Sequence, residues 1–172
     1  MLKIFGAIMI VSGSLGLGLW YRQQFMGRLQ ALRELEEILE LLMSEIRYGK
    51  ATLPECCRRM AGRLKEPYGE AFRGVYEEME KNTGTGFGDV FRKHMEGCLG
   101  KLPIKKEDGE NFLRFVSESS FAEEKMQLRS IDISKELIHG GVEALERENG
   151  EKCRLAVGLG AMSGLLLVIV LL

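Results

Sequence analysis

The apolar residues of this chain follow three patterns in succession. Leu2–Tyr21 (LKIFGAIMIVSGSLGLGLWY) is apolar on every side, with no polar face and no proline. From Arg22 to Arg154 the apolar residues recur with the helical period, and no stretch alternates as a half-buried strand does. Leu155–Leu172 (LAVGLGAMSGLLLVIVLL) is again apolar throughout. The chain therefore predicts an all-α protein: a helical bundle of about six helices in residues 22–154, flanked by apolar helices at 2–21 and 155–172.

Within the middle, Leu32, Leu35, Leu39, Leu42 and Ile46 step by three and four, the spacing of a buried helical seam. The seam predicts one helix from the first apolar segment to about Arg47, closed by Gly49 as a left-handed cap. Thr52-Leu-Pro-Glu55 has the form of a capping box, with Thr52 as cap and Glu55 reaching back. Leu53, Cys56, Cys57, Met60, Ala61 and Leu64 mark the inner face of this second helix. Pro67 separates it from a third, whose face is Tyr68, Ala71, Phe72, Val75, Tyr76 and Met79.

Asn82–Gly88 (NTGTGFG) is a turn. A fourth helix from about Phe87 points Val90, Phe91, Met95, Cys98 and Leu99 inward, and Leu102-Pro103 stops it. A fifth from about Lys105 buries Phe112, Leu113, Phe115 and Val116. Ser120–Glu123 is a second capping-box pattern. It predicts a long last helix from about Phe121 with the seam Leu128, Ile131, Ile138, Val142 and Leu145. Lys135 occupies a seam position, and Gly140-Gly141 predicts a kink. The short connections predict antiparallel neighbours.

Charge sharpens the division. Of 172 residues, Lys plus Arg number 24 and Asp plus Glu 25, for a net charge of -1. A balance this even gives no reason to expect nucleic acid as a partner. Lys3 is the only charge before Arg22, and none follows Arg154. About twenty helical residues rise roughly 30 Å, the thickness of a bilayer core. Trp20 and Tyr21 stand where an interfacial anchor belongs. The segments 2–21 and 155–172 are expected to span a lipid bilayer, with the bundle at 22–154 between them. A cleaved signal peptide fits the first segment less well, since its apolar run is long and a small-residue cleavage site is missing. A removable lipid-anchor signal at the end would need a polar spacer that the sequence lacks. Arg22, Arg28 and Arg33 flank the first segment inwardly, and Arg147, Lys152 and Arg154 flank the second. The basic residues predict a cytoplasmic bundle and both tips across the membrane. Gly160 and Gly164 have the small-xxx-small spacing through which membrane helices pack closely.

Candidate chemistry is sparse. The thiols at 56, 57, 98 and 153 form no C-x-x-C, and a cytoplasmic domain keeps thiols reduced, so packing is their expected role. His94 and His139 lack a metal-site spacing. The run Gly84-Thr85-Gly86-Phe87-Gly88 follows no strand and lacks the lysine of a phosphate loop, which makes it a connector. No cofactor, metal or catalytic residue is expected, and the chain is read as a non-enzyme.

Glu45-Ile-Arg-Tyr48-Gly49 followed by Leu53-Pro54-Glu55 resembles the signature of the stage III sporulation protein AB family. The ends, Met1-Leu-Lys-Ile-Phe-Gly-Ala and Arg154–Leu172, are similar to that family's termini. The order of apolar segment, charged helical middle and apolar segment fits over the whole chain. The resemblance implies a non-enzymatic subunit of a secretion-like channel complex between mother cell and forespore, in the mother-cell membrane around the forespore. It also implies likeness to the helical F domain of the inner-membrane platform protein of type II secretion and type IV pilus machines. The implied partners are an AA-type sporulation ATPase and other membrane subunits of the complex, and a homo-oligomer is compatible with the layout. Exposed residues at the end of the first long helix, Glu45, Arg47, Tyr48 and Lys50, are the expected partner surface; the bland alternative is that Glu45 and Tyr48 fix the turn into the second helix. A two-span signalling relay is the rival function, weakened by the lack of any outer domain. A membrane enzyme would have only Ser12, Ser14 and Ser163 as polar groups in its spans.

Overall fold

The computed structural model describes the backbone of residues 2–49, 51–81, 84–119 and 124–171, and the side chains of 26–49, 51–81, 84–117 and 124–148. Six helices and no strand occur among them: α1 Leu2–Gly49, α2 Leu53–Ala61, α3 Tyr68–Glu80, α4 Phe87–Leu99, α5 Lys106–Ser119 and α6 Glu124–Leu171. Each of α1 and α6 is 48 residues long, or about 70 Å at the helical rise. Among the described residues no helix is long and apolar enough to cross a membrane. The apolar segments 2–21 and 155–172, with Gly160 and Gly164, lie outside the residues whose side chains are described, as does the second capping-box pattern at 120–123.

α1 and α6 run antiparallel. Arg33 meets Glu146, Glu36 meets His139, and Glu40 meets Lys135. Beneath these pairs the predicted seam is buried, with Leu32, Leu35 and Leu39 fully so. α5 lies antiparallel to α6, and α2, α3, α4 and α5 pack each against the next. The core joins all six helices, with Phe91 at its centre: its ring stands 5.7 Å from Phe72, 5.5 Å from Phe87 and 5.4 Å from Phe115. The Phe72 and Phe115 contacts are edge-on and the Phe87 contact is tilted, and ring contacts at these distances add to the burial of large aromatic surfaces.

Three local expectations are corrected. Thr52 caps α2 without a side-chain hydrogen bond. Glu55 does not reach back, because Arg58 takes both of its oxygens at 2.6 and 3.0 Å. With Arg59 Nε also 3.5 Å from Glu55, two guanidinium groups on the same helix outcompete one backbone N–H for the carboxylate. Gly49 is the last residue of α1 and not a left-handed cap; among the described glycines only Gly84 has a positive φ, +78°. The backbone of α6 is helical on both sides of Gly140-Gly141. Gly141 sits where α6 lies against α1, and a Cβ there would stand 3.3 Å from Leu32 Cδ1.

The seam of α6 holds polar groups that periodicity alone does not expose. Ser134 is fully buried, and its hydroxyl oxygen accepts the Phe115 N–H at 3.0 Å. Lys135, the seam position flagged by its charge, instead tips outward to Glu40.

Candidate partner-binding surface at the far end of the long helices

Of the four residues proposed for a partner surface, three are described, and they part company. Glu45 is spent inside the bundle. Its carboxylate accepts from Arg59 at 3.1 Å and from Arg63 at 2.7 Å, and its side chain is only 11% exposed. The expectation that it is an exposed charge is corrected: it ties the end of α1 to α2. Gly49 is part of the same arrangement, since a Cβ on it would meet Arg59 Nη1 at 2.9 Å and Glu45 Oε2 at 3.3 Å.

Tyr48 points the opposite way and is 78% exposed, although it is large and aromatic. The helical step explains this. Ile46 and Leu42 face the core, so a residue two positions after Ile46 lies on the far side. Arg47 is exposed beside it, and Lys50 lies outside the described residues. Extending the register of the Glu36–His139 and Glu40–Lys135 pairs along the antiparallel helices brings Met126, 62% exposed, level with Tyr48 and Gly49. The ends of α1 and α6 farthest from the apolar segments therefore carry a tyrosine, a methionine and an arginine. Aromatic, methionine and arginine side chains are enriched at protein interfaces.

Sequence reading missed a second feature of α6. Met126, Ile133, Leu137, Gly140 and Ala144 follow one another at seven, four, three and four residues, and all are exposed or half-buried. They form an apolar stripe on the outer side of the helix, and a Cβ on Gly140 would meet nothing within 4 Å. The spacing was present in the sequence but ran beside the stronger seam of Ile131, Ile138, Val142 and Leu145.

The groups considered for chemistry have structural partners. Cys56, Cys57 and Cys98 are buried free thiols. Burial pushes Cys56 and Cys98 up to about 11, with the Glu45 charge adding to the effect at Cys56, and it raises Cys57 further still. A thiol so raised is a poor nucleophile at neutral pH. His94 Nε2 lies 2.8 Å from Glu78 Oε2, which also receives Lys93 at 2.9 Å; these two hydrogen bonds hold the Glu78 carboxyl below the usual carboxylate range. His139 Nδ1 lies 2.8 Å from Glu36. Among the described residues no group of three or more metal-type side chains gathers. Gly86 provides the extended residue before α4, in keeping with a connector.

The sequence model for stage III sporulation protein AB matches residues 3–172. The chain belongs to the stage III sporulation protein AB family. The stage III sporulation protein AB of Bacillus subtilis (strain 168) is 22% identical over 172 residues, all of both chains. A solved structure of a stage III sporulation protein AB superposes with a TM-score of 0.64 at 19% identity, over 73% of this chain and 98% of that one. That likeness establishes the helical fold shared by the two. Family membership over nearly the whole chain agrees with the signature around Glu45–Glu55.

Proposed function

We propose that this chain is a non-enzymatic platform subunit of the sporulation complex between mother cell and forespore. In this reading residues 2–21 and 155–172 span the mother-cell membrane around the forespore, and residues 22–154 form the cytoplasmic bundle. One observation carries the mechanical part of the proposal: α1 and α6 are each continuous from an apolar terminal segment through the whole bundle. Ion pairs and a shared seam bind the two rods to each other within the bundle. A force on the far end of such a pair is carried to the membrane without passing through a loop.

The far end is then the place for an assembly ATPase of the AA type to act, through Tyr48, Arg47 and Met126. Lys50, next in the chain, extends the same surface. Glu45 supports the surface from inside and makes no contact itself. The outer stripe of α6 offers a helix of another membrane subunit a flat apolar track, with Gly160 and Gly164 continuing the close packing inside the bilayer. A likeness to the platform proteins of secretion and pilus machines, which the family resemblance implies, would call for the same arrangement.

A photo-crosslinking residue at position 48 of the membrane-embedded full chain tests this reading. With the AA-type ATPase and ATP, a crosslink is expected from position 48 and not from position 77 on exposed α3. No crosslink from 48, or equal yields from both, removes the ATPase contact from the proposal.

A further inference from the structure

The turn between α4 and α5 reads Gly100-Lys101-Leu102-Pro103-Ile104-Lys105 and leads straight into Lys106 of α5. Lys101, Lys105 and Lys106 are all exposed, Lys106 to 93%. No acidic residue lies in the turn. Two contacts fix its height along α1. A Cβ on Gly27 would touch Pro103 Cγ at 3.4 Å. One residue on, Arg28 grips Asp108 of the first turn of α5 through Nε at 2.9 Å and Nη2 at 3.0 Å. Asp108 also accepts the Lys105 N–H at 2.9 Å, so the turn, the start of α5 and α1 are locked together.

Gly27 lies six residues after Tyr21 on the same unbroken helix, about 9 Å along its axis. The headgroup layer of a bilayer is roughly 5–8 Å deep on each side of its hydrocarbon core. α5 runs antiparallel to α6 and hence parallel to α1, so the bundle rises away from this turn. Of the connections between the short helices, this one is anchored nearest to the apolar segment.

We infer that the α4–α5 turn is a docking surface for an anionic lipid bilayer, with Lys101, Lys105 and Lys106 set against the headgroup phosphates. The inference rests on the reading of residues 2–21 as a membrane span. Charge complementarity identifies the occupant: three ammonium groups on flexible stems suit a plane of phosphates better than a single shaped ligand. Beside them is an open hollow of about 520 Å³ with Leu99, Leu102, Ile104 and Leu113 in its lining. An apolar floor under a lysine rim matches the place where a lipid's phosphate headgroup gives way to its acyl chains. Of the carboxylates near the hollow, Glu96 lies 3.7 Å from Arg92, and Glu110, 3.9 Å from Lys106, has to release that lysine to the phosphates. Glu107 is exposed on the first turn of α5, and Glu70 of α3 is exposed beside a second hollow that Lys101 also lines. The docked turn would set the tilt of the bundle on the membrane, since it adds a contact to the two helices that cross.

The test places the full chain in lipid nanodiscs, one set of phosphatidylcholine alone and one half phosphatidylglycerol, and follows hydrogen exchange of residues 100–109. Exchange is expected to slow on the order of 10-fold or more in the anionic discs. High salt should erase the difference, because exposed charges are then screened. The triple variant K101Q/K105Q/K106Q should lose it too, and Lys125→Gln at the opposite end should keep it. Equal exchange in both discs, with the chain embedded, overturns the docking surface alone. A chain that does not co-elute with either disc overturns the span reading, and the docking surface with it.

Discussion

Arg28 and Asp108, 80 residues apart, form the most enclosed ion pair in the described bundle, with side chains 19% and 9% exposed. Two parallel hydrogen bonds join them, and the same carboxylate takes the Lys105 N–H. Asp108→Ala strands the guanidinium and frees the start of α5. A loss of about 2–4 kcal/mol is expected, read as a lower urea midpoint of the full chain in detergent. Asp108→Asn keeps an acceptor for the N–H without the charge, and its midpoint should fall between the two.

Gly74 and His94 form a second coupled pair. A Cβ on Gly74 would lie 2.5 Å from His94 Nδ1, so Gly74→Ala must push the imidazole off Glu78. The substitution is expected to destabilise by about 1–3 kcal/mol. In a His94→Ala background the obstacle is gone. The same change should then stabilise by up to about 1 kcal/mol, since alanine is the better helix former. A double-mutant cycle without this change of sign would show that the ring yields freely.

Glu45 and Tyr48 should separate folding from binding. Glu45→Ala releases Arg59 and Arg63 and is expected to cost about 1 kcal/mol. Tyr48→Ala should change stability by less than about 0.5 kcal/mol, as exposed substitutions do. It should nevertheless weaken capture of the ATPase. Thermal melts and pull-down on the same pair of variants check both halves.

Stability should decline at alkaline pH. Cys56 and Cys98 ionise at about 11 in the fold against 9.0 for an ordinary thiol, and Cys57 is raised further. From pH 9 upward the unfolded chain gives up thiol protons that the native chain keeps. The native state then binds more protons, and stability falls as the pH rises. Burial and the Glu34 charge raise the Tyr68 phenol as well, which extends the effect above pH 10. Replacing the three cysteines by alanine should flatten the decline of the denaturation midpoint between pH 9 and 11.

Much of the fold was legible because helical periodicity reports burial directly. Leu32 through Ile46, Tyr68 through Val75, Val90 through Leu99 and Phe112 through Val116 face inward as their spacing requires. The polar details were less legible. Thr52 and Glu55 have the letters of a capping box, yet Arg58 lies one turn from Glu55 and takes its carboxylate. Gly49 has the letter of a left-handed cap, yet its lack of a side chain serves the Arg59 guanidinium instead. The proposed partner surface was half legible. Position along α1 identified its end, but which residues faced outward depended on where α2 returned.

The sequence by itself determined the class of the protein: two apolar ends, an all-helical middle, and a signature that places the chain in its family. These follow from hydrophobic spacing and local chain chemistry, which act within a few turns of helix. Tertiary structure alone decided how charges were assigned. Arg28 needed Asp108, Glu45 needed Arg59 and Arg63, and His94 needed Glu78, each from outside its own helix. An ion pair is made by whatever folding brings within about 4 Å, and no periodicity along one helix encodes that distance.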